Sequence, residues 1–83
     1  MPSVEAIVKE MRCNPRNIRF AELIRVCNRY FEKPRQHGSH ISYRATGVRD
    51  PRICIQNDGG YAKSYQVKQV LATIDEMENG YGI

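Results

Sequence analysis

Two histidines, His37 and His40, bracket a Gly38-Ser39 dipeptide in the run RQHGSHISYR at residues 35–44, with Arg35 and Arg44 as cationic flanks. Imidazole titrates near neutral pH, and guanidinium presents a planar fork of donors to phosphate, so this combination suits phosphodiester chemistry. Read with a period of two, Ile41, Tyr43 and Ala45 share one face of a strand, and His40, Ser42 and Arg44 share the other. The first face is core, which makes Tyr43 a core residue rather than a stacking platform. The second is free for chemistry.

One phosphodiester reaction open to such residues, cleavage of RNA without a metal, needs few groups, because the substrate's own 2′-hydroxyl is the nucleophile. The protein removes that proton, stabilises a crowded phosphorane and protonates the leaving 5′-oxygen. His40 is the candidate base, and Arg35 and Arg44 are candidates for neutralising charge on the phosphoryl oxygens. The acid has no obvious candidate beyond His37. On a continuous strand His37 and His40, three apart, point to opposite faces, so His37 joins the site only if the chain turns at Gly38-Ser39. Plainer readings exist for each residue. A lone strand histidine is an ordinary surface residue, Ser39 suits a turn and has no triad partner, and Arg44 and Arg52 also keep an exposed sheet hydrated. The Asn57-Asp58-Gly59-Gly60 run lacks the lysine and spacing of a phosphate-binding loop and reads as a turn. His37, His40 and a cysteine lack metal-ligand spacing, so no metal site or cofactor is expected.

The elements around these residues follow from apolar spacing. Ser3 can cap a helix whose Val4, Ile7, Val8 and Met11 form one stripe, ended by Asn14-Pro15. A second helix over residues 19–30 carries Phe20, Leu23, Ile24, Cys27 and Phe31 on one face, with Glu22, Arg25 and Arg29 outward and no evident N-cap. Strand patterns follow at residues 31–36, 40–46 and 52–56. Pro34 confines the first to a sheet edge, His37-Gly38 is the expected turn, and Ile53 and Ile55 oppose Arg52, Cys54 and Gln56 in the third. After a turn at residues 57–60, Ser64 can cap a last helix with Val67, Val70, Leu71, Ile74 and Met77 on its stripe. Residues 79–83 have no stripe and read as a frayed tail.

The expected class is therefore α+β in the order α-α-β-β-β-α, a three-stranded antiparallel sheet with helices packed on one face and the other open. Its 83 residues make a single domain with a modest core. Nine of the thirteen cations are arginine, and residues 1–74 hold all thirteen against six acids. That excess favours a polyanionic partner. Cys13, Cys27 and Cys54 have no C-x-x-C spacing and read as small buried apolar residues rather than as a disulfide framework. With no apolar leader and no stretch of membrane-spanning length, the expected location is cytoplasmic.

A helix with F-x-x-L-I, then an arginine, G-S-H opening a strand, a short third strand and a closing amphipathic helix resembles the HicA, or YcfA-like, toxin family of bacterial toxin-antitoxin systems. The likeness runs over residues 20–74 through Phe20, Leu23, Ile24, Arg35, Gly38, Ser39, His40, the Arg52-Ile53-Cys54-Ile55 strand and residues 67–71. It implies a fold similar to a double-stranded-RNA-binding domain and an mRNA interferase, a metal-independent endoribonuclease silenced by a HicB-type antitoxin. It also implies that His40 is catalytic, supported by Gly38 and Ser39. Lys33, Arg35, Arg44, Arg52 and Lys63 are the expected RNA contacts, and His37 is a possible second acid or base. The helix at residues 3–13 lies outside the family's minimal form, ahead of a core at residues 19–77. Two other readings compete: an RNA-binding module with a basic sheet face that cuts nothing, and a protein-interaction domain. Only cleavage requires imidazole at position 40.

Overall fold

A computed structural model describes residues 2–79. Helix α1 spans Val4–Cys13, α2 Phe20–Tyr30 and α3 Ser64–Asn79, while strands β1 Glu32–His37, β2 His40–Arg44, β3 Arg52–Asp58 and β4 Tyr61–Ala62 form an antiparallel sheet in sequential order. The α+β class stands, with one strand more than the three expected. That strand exists because Gly59 and Gly60 both have positive φ, at 62° and 93°, the pattern of a two-residue type I′ hairpin. Asn57 and Asp58 accordingly belong to β3, paired with Ala62 and Tyr61, and the turn is shorter than the expected residues 57–60.

The two sheet edges are blunted differently. At one, β1 contains Pro34 and a register shift between Glu32 and Arg35, an extra residue that bends an edge strand and spoils it as a template for further pairing. At the other, Ile18 and Arg19 lie along β4: the Ala62 amide donates to Ile18 oxygen at 2.8 Å, and the Phe20 amide to Gly60 oxygen at 3.0 Å. Beyond the end of β4 the Gln56 amide donates instead to Gln66 Oε1 at 2.8 Å. This explains why Gln66 is buried on a helix face that reads as apolar.

One face of the sheet carries the core. Ile41, Tyr43, Ile53 and Ile55 pack with Phe20, Leu23, Val26 and Cys27 of α2 and Val67, Val70, Leu71 and Ile74 of α3, all buried. Val26 takes the buried position expected of Ile24, which is only partly covered. The α2 N-cap is Arg19, whose backbone amide donates to the Glu22 carboxylate at 3.1 Å. Helix α1 packs on α2 and α3, with Ile7 and Met11 inside the common core and Arg12 gripping both oxygens of Asp75 at 3.1 and 2.6 Å. It thus thickens the helical layer, and among the described residues the opposite sheet face stays uncovered.

Three sequence expectations are corrected. Lys63, not Ser64, caps α3, since its carbonyl accepts from the Gln66 and Val67 amides at 3.0 Å each. Of the cysteines only Cys27 is buried, with Cys13 exposed and Cys54 half-buried. Asn79 ends α3 rather than starting a tail, and the rest of the expected tail lies outside the described residues. Among the described residues no helix is long and apolar enough to cross a membrane.

Candidate functional site

The turn between β1 and β2 decides what the histidines can do. His37 pairs with His40, so the loop is Gly38-Ser39 alone and not the expected His37-Gly38. Gly38 has φ 60° while Ser39 does not have positive φ, the signature of a type II′ turn with glycine at its first central position. Directly opposed residues of an antiparallel pair put their side chains on the same face, with Cβ atoms about 5 Å apart. The hairpin reverses the chain between the two histidines. His37 therefore sits beside His40 on the open face, and the parity objection, valid for a continuous strand, disappears.

Register extends this pairing into rows that cross the open face of β1, β2 and β3. His37, His40 and Gln56 form the row at the hairpin end, and Arg35, Ser42 and Cys54 form the next. The third row is Glu32, Arg44 and Arg52. The Asn57 amide donates to Ser39 oxygen at 2.9 Å and the Ala45 amide to Pro51 oxygen at 2.7 Å. Counting inward from both, the pairs His40 with Gln56, Ser42 with Cys54 and Arg44 with Arg52 are non-hydrogen-bonded ones, where Cα atoms approach to about 4.5 Å and side chains crowd most. Arg44 and Arg52 thus face each other at the closest kind of cross-strand position.

The lower rows enclose a shallow depression of about 440 Å³ lined by Lys33, Arg35, Ser42, Tyr43, Arg44, Pro51 and Arg52. Four of these are cations and none is acidic. Among the described residues, none of the four cationic side chains takes part in an ion pair; the pair that is present, Arg12 with Asp75, lies in the helical layer. Lys33 enters through the bulge, held at φ 55°, a left-handed conformation that a side chain with Cβ adopts at a cost of about 1 kcal/mol or more. Tyr43 turns its ring into the core, 4% exposed, where its hydroxyl donates to Asn28 Oδ1 at 2.9 Å. Burial, then the nearby Cys27, pushes its pKa up to about 12, so the phenol stays protonated and structural.

Expected site residues divide by place. His40, His37, Gly38 and Ser39 come together at the hairpin; Arg35 is one row away; Arg44, Arg52 and Lys33 gather at the far end. Lys63 joins neither group, being the cap of α3 and absent from the depression lining. Arg44, expected to neutralise charge beside His40, lies four strand residues from it, about 13 Å, and its cross-strand partners are Glu32 and Arg52. Tyr61 escaped the sequence reading. It pairs with Asp58 at the β4 edge of the sheet, 40% exposed, with the Arg19 guanidinium 5.4 Å from its ring centroid, in a depression shared with Glu10 of α1, Asn17 and Glu22 of α2. The Gly59-Gly60 pair was the available signal for it, since a two-residue glycine turn demands a returning strand.

Chemically, two imidazoles at one spot can exchange protons with a single phosphodiester, with Arg35 within reach of its oxygens. The lower depression can hold an anion. No family model, curated protein or solved structure matches this chain.

Proposed function

We propose that this protein is a metal-independent endoribonuclease of the mRNA interferase type, as its resemblance to HicA toxins implies. The observation that carries the reading is the pairing of His37 with His40 across a two-residue turn, on a sheet face that no helix among the described residues covers. His40 takes the proton from the 2′-hydroxyl, whose oxygen attacks the adjacent phosphorus. His37 gives a proton to the departing 5′-oxygen, so the two imidazoles exchange protonation states and the products are a 2′,3′-cyclic phosphate and a 5′-hydroxyl. Arg35 stabilises the added charge on the phosphoryl oxygens. RNA runs across the open face, and a HicB-type antitoxin would silence the enzyme by covering that same face.

The test is cleavage by His40→Ala and His37→Ala. Both side chains are exposed, so neither substitution opens a core cavity and circular dichroism should match the wild type. Cleavage should fall by about a hundredfold or more with either, survive excess EDTA and leave 5′-hydroxyl ends. Full cleavage by folded His40→Ala, or 5′-phosphate products, would make the histidine mechanism wrong and leave the surface an RNA-holding module.

A further inference from the structure

We propose that the depression lined by Lys33, Arg35, Arg44 and Arg52 is a separate phosphate subsite, holding a backbone phosphate about two nucleotides from the bond that is cut. The inference rests on the ribonuclease reading for what is cut, but the subsite itself stands on geometry.

Three unfavourable features converge on this one place. Arg44 and Arg52 oppose each other at a non-hydrogen-bonded pair, where like charges repel. Lys33 is held with a left-handed backbone by the β1 bulge, and bulges of this kind re-aim a side chain next to functional sites. Four cations line one concavity with no acid among them. A phosphate oxygen cluster offsets all three: it bridges the two guanidiniums and gives Lys33 a partner. Glu32 stands opposite Arg44 in the same row, but among the described residues no carboxylate lies within ion-pair distance of any of the four cations.

Distance separates this phosphate from the reaction. Arg44 and Arg52 lie two rows from His40, about 13 Å along the strands, whereas proton transfer requires contact at about 3 Å. A phosphate bridging Arg44 and Arg52 is not the one under attack. An extended strand covers that span in about two nucleotides, and Arg35, in the intervening row, lies between the two phosphates. The face would thus hold the strand in register and place a chosen linkage at the histidines.

Two measurements on the full chain test this. The first titrates a 2′-O-methyl hexaribonucleotide, which cannot be cut, into His40→Ala protein with and without Arg52→Ala or Arg44→Ala. Each arginine substitution should weaken binding about tenfold and shallow the log-log salt dependence by about 0.7, while Arg52→Lys recovers only part of the loss. Unchanged affinity and salt slope with both alanine variants overturns the subsite, whatever the status of catalysis. The second uses a strand with a single cleavable ribonucleotide, through which one neutral methylphosphonate linkage is walked. A rise in KM of about tenfold should appear when the neutral linkage lies about two steps from the cut, and Arg52→Ala should abolish that rise. An effect confined to the linkages bordering the cut overturns the remote placement. Failure of cleavage alone sinks the ribonuclease reading, and the first measurement still decides the subsite.

Discussion

Gly38 controls both histidines although it contributes no side chain. Its φ of 60° is what closes the loop in two residues, and a Cβ there would meet nothing within 4 Å. The cost of Gly38→Ala is therefore backbone strain alone, about 1–3 kcal/mol, visible as a lower denaturant midpoint with unchanged slope. Relaxation toward a longer loop would move His37 off the shared face, so cleavage should fall more than stability does. Ser39→Ala should be mild by comparison, because it is the Ser39 carbonyl, accepting from Asn57, that ties the turn to β3. A Gly38→Ala protein with full activity and wild-type stability would contradict this account. The histidines, the glycine and the alternation after His40 were all legible in the sequence. Their grouping was not, because a turn displaced by one residue sends His37 to the other face.

At the scale of elements, α1 is attached by side chains that titrate. The Arg12 hydrogen bond, reinforced by its charge, holds the Asp75 carboxyl below the usual range against a smaller opposing effect of burial. A carboxylate whose pKa is depressed on folding stabilises the fold above its unfolded pKa and loses that contribution as pH falls through the folded value. Both side chains are almost half exposed, at 45% and 44%, so the pair contributes under about 1 kcal/mol. Asp75→Asn should consequently lower stability slightly at neutral pH, and the difference from the wild type should shrink as acid protonates Asp75, as checked by urea titrations at a series of falling pH values. Ile7→Ala should cost far more, about 2–5 kcal/mol, since Ile7 is 2% exposed within the shared core. The amphipathic stripe of α1 was plain in sequence. Which surface it covers depends on the apolar residues that α2 and α3 leave unburied by the sheet, and those lie far along the chain.

Across the whole molecule, charge and core are segregated: a core between sheet and helices containing the buried thiol of α2 and phenol of β2, and an open face of histidines and arginines. Burial pushes the Cys27 thiol up to about 12, and burial also raises Tyr43. On unfolding, both groups regain ordinary values, so above about pH 9 the unfolded chain binds fewer protons than the folded one and stability falls as pH rises. Cys27→Ala should flatten that alkaline decline while costing some stability at neutral pH. An identical alkaline slope in the variant would mean that Cys27 is not its source. Thiol labelling offers a parallel check, with Cys13 reacting in the native state and Cys27 only on unfolding.

Local periodicity in the covalent chain determined the helical stripes, the parity of β2 and β3, the edge position of β1 through Pro34 and the open polar face. These are properties of nearest neighbours in sequence, and the hydrophobic effect reads them directly. The tertiary structure alone decided which strands oppose which residues. It set His37 against His40, Arg44 against Arg52 and Asp58 against Tyr61, gave β4 a neighbour in Ile18 and Arg19, and aimed Lys33 through a bulge. Cross-strand neighbours depend on the register of two segments at once, and one residue more or less in a turn or bulge exchanges the faces.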